Sequence, residues 1–167
     1  MEKQIIDIIN SATGRVVIAI DGRCASGKTT LAEEIKERTA CAVVHMDDFF
    51  VPRNERRDEI GGNICFERLI SDVLIPFKKG EAAEYRSFLC KKQTMGDVEK
   101  IEEGNVLLLE GTYSTHEKLK EYVDYSFVLD IAREEQVKRI KKRNPDNFED
   151  FINIWIPREE EYFKAKK

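Results

Sequence analysis

The chain has 167 residues, 41% hydrophobic and 36% charged, the make-up of a soluble globular domain long enough to bury one core. Its 28 basic and 32 acidic residues leave a net charge of -4, which gives no support to a nucleic-acid or acidic-membrane partner. Cys24, Cys41, Cys65 and Cys90 form no Cys-x-x-Cys pair, an argument against zinc and for reduced thiols in the cytoplasm.

The opening run MEKQIIDIIN alternates charge with isoleucine, so it is expected to be a short amphipathic helix beside a sheet; it is too polar for a signal peptide. Nothing in the chain approaches the roughly eighteen consecutive apolar residues of a membrane span, and one domain over 1–167 is expected. Val16, Val17, Ile18, Ala19 and Ile20 read as a buried parallel strand ending at Asp21. Gly22-Arg23-Cys24-Ala25-Ser26-Gly27-Lys28-Thr29 then satisfies the Walker A pattern, and Thr30 onward, with Leu31 and Ile35 on one face, reads as the helix such a loop must enter. The glycines let successive N–H groups turn toward a phosphate, and the helix N-terminus adds its dipole. Lys28 can reach the β- and γ-phosphates, and Thr29 offers a hydroxyl to Mg²⁺.

Ala42–Met46 reads as a second strand, running into Asp47-Asp48-Phe49-Phe50 and a charged surface loop through Gly61-Gly62. Arg53, Arg56 and Arg57 in that loop either bind a phosphate on an acceptor or serve as ordinary surface charge. Phe66, Leu69, Ile70, Val73 and Leu74 keep helical spacing, with Pro76 expected to end the helix. The stretch from Tyr85 to Ile101, with a break at Met95-Gly96-Asp97, reads as two short strands or an irregular flap. Two further strands, Val106–Leu109 and Tyr125–Leu129, end at Glu110 and Asp130. A helix from about Glu134 to Lys142, a break at Asn144–Asn147 and a last helix through Trp155 toward Tyr162 complete the chain. Strands alternating with helices predict a three-layer α/β P-loop NTPase sandwich with a mainly parallel sheet, whose ligands bind at the carboxyl ends of the strands. The Walker loop, Asp47 and Glu110 all fall there.

A phosphate loop implies nucleotide binding; a kinase also needs a group to take the acceptor's proton and an acid on the metal side. Asp47 suits the first role. Glu110 and Asp130 compete for the second, Glu110 being favoured for its more apolar strand and following glycine. His45 and His116 read as strand and loop residues without visible partners.

The sequence resembles the uridine kinase and phosphoribulokinase group of P-loop kinases through Ala25-Ser26-Gly27-Lys28-Thr29-Thr30, Asp47-Asp48-Phe49-Phe50 and Leu109-Glu110-Gly111, with Asp130, Arg139, Arg143 and Pro157 toward the tail. The resemblance implies an ATP- and Mg²⁺-dependent phosphotransferase acting on a hydroxyl of a small metabolite, a nucleoside by analogy. It makes Asp47 the base, Thr29 and Glu110 the magnesium-side ligands, and Arg139 with Arg143 a lid over the phosphates around 138–147. Asp47, Asp48, Phe49, Tyr85 and Arg86 become the acceptor contacts. The group's nucleoside-contacting histidine has no counterpart in Tyr85–Cys90. A monophosphate acceptor and a regulatory nucleotide-binding module stand as alternatives, and association as a homo-oligomer stays open.

Overall fold

The computed structural model describes residues 1–101 and 104–166. Helix α1 (Glu2–Ser11) precedes strand β1 (Val16–Gly22), helix α2 (Lys28–Arg38) and strand β2 (Cys41–His45). Helix α3 spans residues 66–79, the hairpin is β3 (Ala83–Leu89) with β4 (Thr94–Ile101), and β5 (Val106–Glu110) and β6 (Tyr125–Leu129) follow. Helix α4 (Arg133–Arg143) and helix α5 (residues 148–165) close the chain. The main sheet is wholly parallel in the order β2-β5-β1-β6, and β3 and β4 form a separate antiparallel pair.

Alternation along the central strands makes the three layers. Ile18, Ile20 and Leu108 face Ile5 of α1 and Ala32 and Ile35 of α2. Val17, Leu107 and Leu109 face the other way, onto Phe66, Leu69 and Phe77 of α3, the hairpin, and Tyr162 and Phe163 of α5. β5 is buried at every position, as a strand covered on both faces must be. Among the described residues no helix is long and apolar enough to cross a membrane.

Two expectations fail for identifiable reasons. Pro76 does not end α3: the helix widens to a π-turn at Ile70–Leu74, passes through Pro76 and stops after Lys79, where Gly80 adopts φ +79. A wide turn displaces the carbonyl that a proline ring would otherwise strike. α5 uses the same device, a π-turn at Phe151–Trp155 before Pro157. The hairpin reverses at 90–93, not at Met95-Gly96-Asp97, with Lys92 N donating to Leu89 O at 3.0 Å and Gln93 at φ +52. Gly96 instead lies within β4, where an added Cβ would come 2.9 Å from Ser87 Oγ, beside the register shift between Arg86 and Phe88. That glycine serves close strand approach and not chain reversal.

Candidate active site

Register assembles the site. Ile20 of β1 and His45 of β2 both pair with Glu110 of β5, so the phosphate loop, the turn after β2 and the end of β5 leave the sheet at one level. The loop needs unusual backbone: Gly22 has φ +146 with its α-carbon against β6, and Gly27, which caps α2, has φ +101. Lys28 is 7% exposed, and its ammonium donates to Arg23 O at 2.9 Å across the loop. Ser26 Oγ is buried with no hydrogen-bond partner, and a Cβ on Gly27 would meet nothing within 4 Å. An orphaned hydroxyl, a desolvated lysine and open space at the head of a helix fit a phosphate group.

Thr29 Oγ1 donates to Glu110 Oε1 at 3.1 Å, and the other carboxylate oxygen lies 2.6 Å from His45 Nδ1. His45 is therefore partnered, contrary to the sequence expectation, with Glu33 a further 3.8 Å contact at its Nε2. The hydrogen bond to Glu110 raises the imidazole pKa against the opposing effect of burial. Gly111, at φ +135, keeps Glu110 close to the turn after β2, since a Cβ there would lie 2.7 Å from Met46 Cβ. Among the described residues no cluster of three or more His, Cys, Asp or Glu is placed to hold a metal. A threonine hydroxyl beside one carboxylate is nonetheless the sparse set that suits Mg²⁺, which keeps waters and phosphate oxygens as its other ligands. Asp130, the competing acid, is instead exposed and bound to Arg23.

Asp47 and Asp48 sit on the 3-10 turn Met46–Phe49. Water reaches Asp47, yet surrounding protein atoms crowd its carboxyl; this desolvation and then the Glu110 charge push its pKa up against the pull of Lys28. Asp48 is also shifted up, chiefly by burial, and its Oδ2 accepts from the Tyr85 hydroxyl at 3.2 Å. Tyr85 is 5% exposed and stacks on Phe49 at 5.2 Å. Phe49 itself is fully buried, so it shapes the acceptor side from beneath and offers no surface to an acceptor. Arg86 points along the hairpin, its Nε donating to Gly96 O at 2.7 Å. The guanidinium next to the acid turn is Arg68, which donates to Asp48 O at 2.8 Å and lies 4.8 Å over the Phe49 ring. Sequence reasoning passed over Arg68 because it belongs to a helix read as core.

Arg139 and Arg143 both reach the loop: Arg139 donates to Ala25 O at 3.2 Å, and Arg143 lies 3.5 Å from Cys24 Sγ. Burial raises the Cys24 thiol pKa, with Glu159 acting in the same direction. Arg23 has its side chain turned out of the loop to Glu160 at 2.6 Å, Asp130 at 2.6 Å and the Phe163 ring at 4.9 Å. Thr30 is exposed on the first turn of α2.

Two buried carboxylates beneath the loop had no sequence signal. Asp21 accepts from Gly22 N at 2.7 Å, Tyr113 N at 3.2 Å, Thr115 N at 3.1 Å and Tyr162 Oη at 2.6 Å. Glu159 of α5 accepts from Cys24 N at 3.0 Å and from Gln136 Nε2 at 3.3 Å, tying the loop to α4 and α5. Apart from Gly22, their partners lie so far away in the chain that no local pattern marks them. His116, also partnered, stacks on Phe66 at 4.5 Å, and burial lowers its pKa.

A parallel sheet whose first strand feeds a glycine-bent loop into a helix, with the loop lysine desolvated and a threonine on a strand-end acid, defines a P-loop nucleotide-binding protein. The chain belongs to the family described as an AAA domain, whose match covers residues 18–161. It is 26% identical over 141 residues to uridine-cytidine kinase B of Dictyostelium discoideum, covering 74% of this chain and 56% of that protein, so the chain spans little more than half of that relative. Two solved structures share the fold at 20% identity. One is a possible uridine kinase from Bacillus stearothermophilus, TM-score 0.67, covering 88% of this chain and 89% of that one. The other is a candidate fructose transport system kinase from Silicibacter sp. TM1040, TM-score 0.69, covering 88% and 82%.

Proposed function

We propose that the protein transfers the γ-phosphoryl group of ATP to a hydroxyl of a small metabolite, with a nucleoside as the class that the Dictyostelium relative's name suggests. The observation that carries this reading is the convergence of Lys28, the Thr29–Glu110 pair and Asp47 at one level of the sheet. A nucleotide-binding module would need the first two groups only. Asp47 is the addition that an acceptor explains.

Thr29 and Glu110 would hold Mg²⁺, which when bound neutralises charge on the phosphate oxygens. The N–H groups from Ala25 to Thr29 orient the donor, and Lys28 leaves the Arg23 carbonyl for the β- and γ-phosphates. Asp47 takes the hydroxyl proton; its raised pKa makes it a stronger base than a free aspartate. Arg139 and Arg143, already at the loop, stabilise charge on the moving phosphoryl, so α4 and the 138–147 segment act as a lid on a single domain. Tyr85 holds Asp48 and walls the acceptor side.

The test is Asp47→Asn. Turnover should fall on the order of 10²- to 10⁴-fold while ATP affinity, read by calorimetry, stays within about threefold. Near-normal turnover removes Asp47 from the role.

A further inference from the structure

Four side chains at the end of the sheet form a closed circuit between β2, β5 and α2. Register pairs His45 of β2 with Glu110 of β5, and paired residues of neighbouring strands point to the same face, here the one that meets α2. Thr29 and Glu33 stand one turn apart on α2, so they share one side of that helix. The helix pair meets the strand pair residue for residue. Thr29 Oγ1 donates to Glu110 Oε1 at 3.1 Å, Glu33 Oε1 lies 3.8 Å from His45 Nε2, and His45 Nδ1 closes the circuit on Glu110 Oε2 at 2.6 Å.

An ionised carboxylate can only accept, so the 2.6 Å contact assigns a proton to His45 Nδ1. Each oxygen of Glu110 then has one donor, and the two donors differ in kind. The Thr29 hydroxyl turns freely about its C–O bond and keeps lone pairs that a cation can use. The imidazole has donors only to give, and it is held by a strand in register on one side and Glu33 on the other. Neither apolar cluster of the core includes His45, and a third of its side chain is exposed, so packing does not account for it. The Glu110 side chain is only 5% exposed, and among the described residues the pair with His45 is the one ion pair it makes. Without that donor Oε2 would be left buried and unpaired, and the carboxylate would turn to find another partner.

We infer that His45 is a positioning residue for the metal side of the site: its Nδ1–H fixes the Oε2 edge of Glu110, which keeps Oε1 and the Thr29 hydroxyl together as one pair of oxygens for a divalent cation. The imidazole acts through Glu110 alone. Hydrogen-bond partners behind a ligating side chain are worth about 10- to 100-fold in metal affinity. The inference rests on the reading above only in placing the cation at Thr29 and Glu110; it makes no use of Asp47 or of an acceptor.

The test titrates Mn²⁺ into the full chain saturated with ADP, with no acceptor, and reads binding from the enhanced relaxation of water protons that protein-bound Mn²⁺ produces. His45→Leu should weaken Mn²⁺ binding about 10- to 100-fold, while ADP affinity in excess chelator, measured by calorimetry, stays within about threefold of the unsubstituted protein. His45→Asn should restore Mn²⁺ binding to within about threefold, because its amide N–H takes the place of Nδ1–H. His45→Gln extends its amide toward Glu33 and leaves Oε2 without a donor, so it should behave as His45→Leu does and carries the test if leucine unsettles the fold. Unchanged Mn²⁺ binding in His45→Leu and His45→Gln overturns the inference. So does a parallel loss of ADP affinity in chelator that asparagine does not rescue, the mark of a merely structural residue. Failure of the kinase reading shows differently, as absent acceptor-dependent ADP release in the unsubstituted protein with the Mn²⁺ differences among the variants intact.

Discussion

Tyr162→Phe isolates the bond that fastens α5 beneath the phosphate loop. The ring, 2% exposed, packs on Tyr113 at 4.8 Å and Phe163 at 4.9 Å, and phenylalanine keeps both contacts. What disappears is the hydroxyl that donates to Asp21 Oδ2 at 2.6 Å, with its 3.2 Å neighbour Thr115 Oγ1. Hydrogen bonds to charged groups contribute about 1.5–3 kcal/mol. Asp21 keeps its three backbone N–H donors and the Thr115 hydroxyl, so the loss should fall in the lower part of that range, about 1.5–2 kcal/mol. For a domain of this size that lowers Tm by about 3–8 °C. Urea denaturation followed by circular dichroism measures it, with the m-value unchanged because the same surface is buried. A loss below about 0.5 kcal/mol would refute the reasoning, since Asp21 would then be fully satisfied without α5.

Gly22→Ala should cost at least about 2 kcal/mol and abolish nucleotide binding, because φ is +146 and the new methyl would stand 2.2 Å from Leu129 O on β6; thermal melts and ATP calorimetry check both effects. Burial holds the Glu159 carboxyl above its ordinary pKa of 4.5, so the folded state binds its proton more tightly than the unfolded chain does. Its contribution to stability is fully present below pH 4.5 and is lost as pH rises through the folded value, so Glu159→Gln should gain stability relative to the unsubstituted protein as urea melts are taken from pH 4 to pH 8. Parallel stability curves would contradict that shift.

The sheet was legible because its signals are local. Apolar runs identified β1 and β5, and the Walker spacing put Lys28 and Thr29 at the head of α2. The acceptor side was less legible, since β4 is mostly exposed and carries little hydrophobic pattern, and Gly96 mimics a turn while serving close strand approach. Phe49 follows two acids and reads as part of a binding signature, yet it is fully buried beneath Tyr85. Arg23 falls inside the Walker spacing but spends its charge on Glu160 and Asp130. Asp21 and Glu159 join segments 141 and 135 residues apart, and only the assembled fold reveals them.

The most direct measurement is ADP release from Mg·ATP against a panel of acceptors, with Lys28→Ala as the blank: uridine and cytidine first, then other nucleosides, their monophosphates and small phosphorylated alcohols. Release that depends on an acceptor and disappears in the blank is the expected result. ATP binding with no stimulation by any acceptor would contradict the assignment of Asp47 and its neighbours to phosphoryl transfer.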